Sequence, residues 1–371
     1  MSQTAMTGGN QSVSPGLWAL AWRRLRADKL AMGALAVVLA FIGLITLSSF
    51  GLVAADWEQE VGVNFAPPGF IGADASSNAT QDGPEQALPE NPLDPLRDII
   101  RELRGQNTPG EAALAGSGVD DPLAKEMAEI RQALAKQAGT AKQQRLATLP
   151  FGADKWGHDI IKKTIKGAET SIVVGLVAAL LATLLGTLFG ALAGYFGGKL
   201  DDFFNWFYSI FTSIPSILMI LTVAAVLQKR GVVSIVLILG LTGWTGTFRL
   251  IRAEYMKHKV REYVMAAEAI GASHWRRIAG HIFPNVSHVA LVQMSILVVG
   301  FIKSEVILSY LGFGVPVGVV SWGSMLNEAQ NELILGKWWQ LAAASMAMAV
   351  LVTAFSLFTD ALRDALDPKM K

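Results

Sequence analysis

The chain has 371 residues, 52% hydrophobic and only 16% charged, with 36 glycines, a balance too apolar for a soluble globular domain. With 31 Lys and Arg against 30 Asp and Glu the net charge is +1, which excludes the basic footprint of a nucleic-acid-binding protein. There is no cysteine, the five histidines lack metal-ligand spacing, and no G-x-x-x-x-G-K-[ST] loop is present, so thiolate chemistry, clustered metal sites and that route to nucleotide binding are all excluded.

Residues 1–16 are polar and without apolar periodicity, which predicts disorder. With the basic stretch that follows they make an N-terminal tail over 1–29. A membrane-crossing helix needs about 20 apolar residues. The first such run, Leu30–Ala55, has 26 uncharged residues, longer than the apolar core of a cleavable signal, and reads as an uncleaved transmembrane helix. Residues 56–150 form an insertion with 15 acidic and 8 basic residues. Its narrow apolar stripes, Leu96/Ile99/Ile100/Leu103 and Leu123/Met127/Ile130/Leu134, suit either two small helices on a partner or on the membrane domain, or a partly disordered linker. Beyond it, residues 151–371 carry five more spans: Thr170–Gly198, Phe203–Gln228, Gly231–Phe248, Val289–Gly314 and Trp338–Thr359. The expected fold is therefore all-α and polytopic, with six transmembrane helices and a long insertion between the first two.

Basic residues flanking the spans set orientation. With the N-terminus in the cytoplasm, the inner segments hold 15 Lys and Arg and the short outer loops only Lys229, Arg230 and Lys337. Both termini are then cytoplasmic and the 56–150 insertion extracytoplasmic.

The most informative connector is the 249–287 loop, on the cytoplasmic side by this count. Helix formers run from Arg261 to Ile270, Gly271 interrupts, a second stretch runs to Ile282, and Pro284 opposes continuation, which predicts a helix-turn-helix outside the bilayer. Ala267 and Gly271 share a face at i, i+4, where another protein can approach closely. A lipid-surface helix pair, served by Trp275, Arg276 and Arg277, is the alternative.

This loop resembles the coupling motif of ATP-binding-cassette importer permeases, Glu-Ala-Ala, three residues, Gly, nine residues, Ile-x-Leu-Pro. Ala266, Ala267, Gly271 and Pro284 fall at its spacing, while Met265, His281 and Phe283 depart from it; Glu262 and Glu268 flank the missing glutamate. Other segments resemble the second permease subunit of the dipeptide/oligopeptide group. They are Pro150–Asp154 with Gly157–Asp159, Gly167–Ser171, Ser213-Ile214-Pro215, Ser309–Gly314, Ser321-Trp322-Gly323 and Asp360–Pro368. The resemblance covers 150–371 and not the insertion. It implies a non-enzymatic permease forming half of a peptide path across the inner membrane. Its implied partners are a second permease, two cytoplasmic ATPases that hold ATP and Mg, and an extracytoplasmic solute-binding protein; this chain itself would hold no cofactor. It also implies that Arg261, Glu262, Ala266, Ala267, Glu268, Gly271, Ala272 and Pro284 meet an ATPase.

Within the spans, Pro215 frees a backbone carbonyl and can kink its helix, whether to widen a path or to fit its neighbours. Glu305, a charge inside an apolar run, suits either a pathway or gate position or structural hydrogen bonding near the Leu311-Gly312 turn. Gly186, Gly190 and Gly194 form a small-residue stripe for helix packing. An ion-coupled carrier, a scaffold whose insertion carries the function, and import of a nickel chelate or oligosaccharide remain as alternatives.

Overall fold

The computed structural model describes residues 17–72, 145–228, 231–316 and 318–366. The readings of residues 1–16 and of the stripes at 96–103 and 123–134 lie outside them. The chain divides into two compact units, Met1–Gln59 with His158–Lys371, and Glu60–Gly157.

The larger unit opens with α1 (Leu17–Ala27), a basic amphipathic helix within the stretch read from sequence as tail. Asp28 then caps α2 (Lys29–Ser49), its Oδ1 accepting from the amides of Leu30 at 2.9 Å and Ala31 at 3.2 Å. The first span stops at Ser49 and not at Ala55, because the amides of Gly51 and Leu52 turn back onto the carbonyls of Ser48 and Leu47.

The next helix, α3 (Ile160–Phe196), is capped by Asp159 and starts ten residues before the apolar run does. Its 37 residues extend about 55 Å, well beyond the hydrocarbon thickness, and its first turns carry Lys162, Lys163 and Lys166. The third span is broken: α4 (Gly198–Thr212) and α5 (Ser216–Leu227) meet at 85°. Pro215 cannot donate to the previous turn and disfavours helical Ile214, while Thr212 and Ser213 hydroxyls donate to the Tyr208 and Ile210 carbonyls. The fourth also bends, by 41° between α6 (Val232–Thr242) and α7 (Thr245–His258), and α7 continues ten residues past Phe248. After α8 (Glu262–Ala269), a π-helical segment over Arg276–Ile282 leads into α9 (Phe283–Tyr310), then α10 (Trp322–Ile334) and α11 (Trp339–Leu366).

Among the described residues four helices are long and apolar enough to cross a membrane, and each of the two bent pairs passes the same test jointly, so that there are up to six spans if each bent pair is one. α10, which sequence periodicity did not single out, begins at a capping box in which Ser321 and Ser324 side chains satisfy each other's amides.

The glycine stripe of α3 lies against α7. A Cβ at Gly186 would stand 2.6 Å from the Trp244 carbonyl oxygen, at Gly190 2.8 Å from that of Phe248, and at Gly194 2.5 Å from that of Arg252. Only glycine lets these backbones meet, which is the packing role the spacing suggested. The other face of α3 exposes Leu180, Leu184 and Leu188, as a lipid-facing surface should. One core joins Ala178, Ala179 and Ala182 of α3 to Ile238 and Leu239 of α6, Val298 and Ile302 of α9, and Trp322 of α10. Rings of Phe204, Phe207, Phe211, Phe189, Trp244 and Phe248 knit α4 and α7 to α3, and Arg252 holds Asp201 through two hydrogen bonds of 2.5 and 2.6 Å.

In the smaller unit, residues 60–72 and 145–157 close on each other through parallel bridges, Gly62 to Leu146 and Pro68 to Leu149, over a core of Ala66, Leu149 and Ala153. Gly157 has φ +88°, and a Cβ there would lie 2.2 Å from the Gly62 carbonyl oxygen. The two chain ends that bracket residues 73–144 are thus tied at a neck.

Candidate coupling surface

Between α7 and α9 the chain makes the helix-turn-helix expected from its sequence, with one difference. The second helix does not stop at Pro284. The π-helical turns over Arg276–Ile282 run directly into α9, with Pro284 near its first residue. A π turn takes one extra residue, as in the Phe283 amide donating to the Ile278 carbonyl, and that widening accommodates a proline with no amide to give. Asn285 helps, its side-chain amide donating to the His281 carbonyl at 2.8 Å.

α8 is a two-turn helix with Glu262 at its positive end. Its C-terminus closes with the Ala272 amide on the Ala267 carbonyl and the Gly271 amide on the Glu268 carbonyl, both at 2.9 Å. Gly271 sits at φ +83°, the left-handed residue this closure needs, and a Cβ there would meet nothing within 4 Å. The glycine is therefore required by the turn, with open space around it.

The two alanines separate. Ala267 is 4% exposed and, with Val264, faces the chain's own core, where Val264 packs with Ile251, Tyr255, Ile278, Ile282 and Val286. This corrects the expectation that Ala267 and Gly271 together face a partner: an eight-residue helix seated on its own protein must give its inner face to that seat. Ala266 is outward, with Arg261, Glu262, Glu268, Gly271 and Pro284 also exposed and Ala272 partly so. Around them the surface is apolar: Val260, Tyr263, Met265, Ile270 and Trp275 are exposed, Ile270 at 86%.

A polar clamp holds α8 in place. Arg277, buried in the π segment, pairs with Glu268 at 2.7 Å, bonds His274 Nδ1 at 2.8 Å and lies over the Tyr195 ring at 5.6 Å. The Tyr195 hydroxyl, near the end of α3, reaches the same His274 Nδ1 at 3.0 Å. With two donors converging on it, that nitrogen is the acceptor. Glu268, weighed above as a charge for a partner, is thus partly committed within the chain. On the other flank the Tyr263 hydroxyl meets His258 Nδ1 at 2.8 Å. Nothing in the spacing of Tyr195, His274 and Arg277 marks them as a set, since α3 and the loop lie nearly eighty residues apart.

Pro215 and Glu305 lie elsewhere. Pro215 is exposed at the α4/α5 break. Glu305 is fully buried, its Oε2 accepting from Ser171 Oγ at 2.6 Å and its Oε1 from Ser309 Oγ at 2.7 Å. Ser171 Oγ also accepts from the Trp322 amide, so the carboxyl ties α3, α9 and the start of α10 together. Of the two readings above, this geometry is the hydrogen-bonding one. Nearby, Lys163 reaches Glu328 at 2.6 Å and Gln340 at 3.4 Å, fastening α10 and α11 to α3. Among the described residues no group of three metal-ligating side chains comes together.

Residues 186–371 match the family described as binding-protein-dependent transport system inner membrane component, and residues 16–68 match the N-terminal TM domain of oligopeptide transport permease C. Among similar proteins, the dipeptide transport system permease protein DppC of Bacillus subtilis is 35% identical over 221 residues, 60% of this chain and 69% of the relative. The oligopeptide transport system permease protein OppC of the same organism is 36% identical over 221 residues, covering 60% and 72%. OppC of Lactococcus lactis is 32% identical over 220 residues, covering 59% and 75%. The α8 surface and all the candidate spans after α2 fall in or overlap the first family match, and residues 69–185, most of the insertion included, lie in neither. The chain belongs to the binding-protein-dependent transport system inner membrane component family and is an integral membrane permease subunit of an ATP-binding-cassette transporter.

Proposed function

We propose that the chain is one of two permease subunits lining the path of an ATP-driven importer of di- or oligopeptides. The names of its relatives support the solute class. Both termini are placed in the cytoplasm and the insertion outside. Arg261, Glu262, Ala266, Glu268, Gly271, Ala272 and Pro284 frame the contact with a cytoplasmic ATPase, and Ala267 acts from behind by seating α8. ATP and Mg belong to two such ATPases and not to this chain, and an extracytoplasmic binding protein delivers the peptide. The α4/α5 break at Pro215 is the element placed to move at the path, while Glu305 holds the α3/α9/α10 junction.

The observation that carries this reading is the exposed apolar surface of α8 and its flanks, on a short helix clamped to the ends of three spans. Apolar side chains exposed beyond the spans mark a protein contact, and rigid seating lets a partner's motion reach α3 and α9. The test is uptake of a labelled dipeptide or oligopeptide by cells with and without this subunit. Uptake that depends on the chain and on ATP, and survives collapse of the proton gradient, is expected. Uptake abolished by that collapse with ATP intact would establish an ion-coupled carrier instead. Orientation is read from cysteines placed at Ala112 and Ala272: an impermeant thiol reagent added outside should label only the former.

A further inference from the structure

A cavity of about 690 Å³ lies where α7, α9 and α11 meet. Its lining is divided. Toward the C-terminal ends of α7 and α11 and the N-terminal end of α9 it presents Lys257, His258, Arg261, His288 and Arg363, with Glu254 as the one acid among the described residues. Farther along the spans it presents Leu250, Val289, Val292 and Ile296. At a helical rise of 1.5 Å per residue, Leu250 lies about 10 Å deeper than Lys257, and Ile296 about 12 Å deeper than His288. Glu254 is occupied by Lys257 at 3.0 Å and His258 at 3.5 Å. The fixed charges of Lys257, Arg261 and Arg363 therefore outweigh that single carboxylate. Leu250 and Ile296 are themselves open at the protein surface, 42% and 43% exposed.

A basic mouth above an apolar wall, set at one end of a membrane span, matches an amphiphile whose head is anionic. We propose that this cavity is a binding site for one anionic phospholipid of the cytoplasmic leaflet, its phosphate held by Lys257, Arg261 and Arg363 and one acyl chain laid along Leu250, Val292 and Ile296. Basic pockets between spans hold such headgroups through charge, and the apolar wall removes chain surface from water. A free anion would use only the mouth and leave the apolar wall uncovered. The leaflet rests on the orientation proposed above; the site itself does not. Because α7 and α9 also carry the seat of α8, a lipid lodged between them would make the coupling surface responsive to membrane composition.

Native mass spectrometry of the full-length chain in detergent tests this, with phosphatidylglycerol and phosphatidylcholine of identical acyl chains as probes. Selective retention of one phosphatidylglycerol is expected. The Lys257→Gln/Arg363→Gln pair should weaken it by about tenfold or more, since each basic residue near a lipid surface contributes to anionic-lipid affinity. Lys199→Gln, an exposed cation at the start of α4, should not. Equal retention of both lipids by the unaltered chain overturns the proposal without recourse to any variant. So does an equal loss with Lys199→Gln, or full displacement by inorganic phosphate, which would mark a free-anion site. In the assembled transporter, a photo-crosslinker at Val292 should capture lipid; capture of the second permease would make the cavity a subunit interface. If Ala272 is labelled from outside while selectivity for phosphatidylglycerol persists, the orientation fails and the site stands.

Discussion

Replacing Arg277 with Gln removes the clamp under α8 while keeping a polar side chain of similar reach. Three contacts go: the pair with Glu268, the bond to His274 and the contact with the Tyr195 ring. Glu268 is 63% exposed, so its ion pair contributes at most about 1 kcal/mol after solvent screening. The hydrogen bond adds about 1 kcal/mol and the cation–π contact about 0.5 to 1 kcal/mol. Together these come to about 2 to 3 kcal/mol, or roughly a 30- to 150-fold rise in the opening of α8 from its seat, at 1.4 kcal/mol per tenfold. The six spans keep their own packing, so membrane insertion should be unchanged. Hydrogen exchange reads the effect directly, because the Gly271 and Ala272 amides are protected only by the α8 closure. Their exchange should accelerate by about that factor while amides in the middle of α3 do not change. Transport should fall with normal accumulation of the subunit, and Arg277→Lys should recover part of the loss, restoring charge but not the planar fork. If the Gly271 and Ala272 amides keep their protection in Arg277→Gln, the clamp is not what seats α8.

Three further outcomes follow from the packing. Gly190→Leu should prevent accumulation or lower the melting temperature in detergent, since its Cβ alone would press to 2.8 Å of the Phe248 carbonyl oxygen and overpacking costs about 1 to 3 kcal/mol or more. Glu305→Leu should destabilise the unit by about 1 to 3 kcal/mol for each of the two serine hydroxyls left without its acceptor, with Glu305→Gln milder; a thermal melt of the two variants side by side checks the order. Excising Ala75 to Ala141 should leave a subunit that inserts and assembles, because the neck is closed outside the deletion. Transport should weaken without vanishing if the acidic insertion helps dock the binding protein, and wholly unchanged transport would remove that role.

The spans were legible because a run of 20 apolar residues has few alternatives, and Pro215 announced a break without giving its size. Hydropathy could not place the helix ends. α3 and α7 extend through charged turns that hydropathy discards, and α2 stops where backbone turns close, six residues inside its apolar run. Pro284 misled, since a proline that ends an α-helix can follow a π turn without ending anything. The helix-turn-helix of the 249–287 loop was legible from its residues, but spacing alone does not say which face of α8 is inward. Ala266 and Ala267, adjacent in sequence, point to opposite fates because Val264 and Ala267 share the buried side. The Tyr195–His274–Arg277–Glu268 clamp and the Ser171–Glu305–Ser309 tie join distant parts of the chain, and single-sequence periodicity carries no trace of either.

The central claim is that the exposed surface of α8 meets an ATPase, and a crosslink there tests it most directly. A photo-crosslinking side chain at Ile270, 86% exposed at the helix end, should join this chain to a protein bearing a G-x-x-x-x-G-K-[ST] loop. The same group at Leu188, on the outer face of α3, should join it to lipid alone. Adducts from Ile270 that contain only lipid, or no adduct with an ATPase in the assembled transporter, would contradict the account.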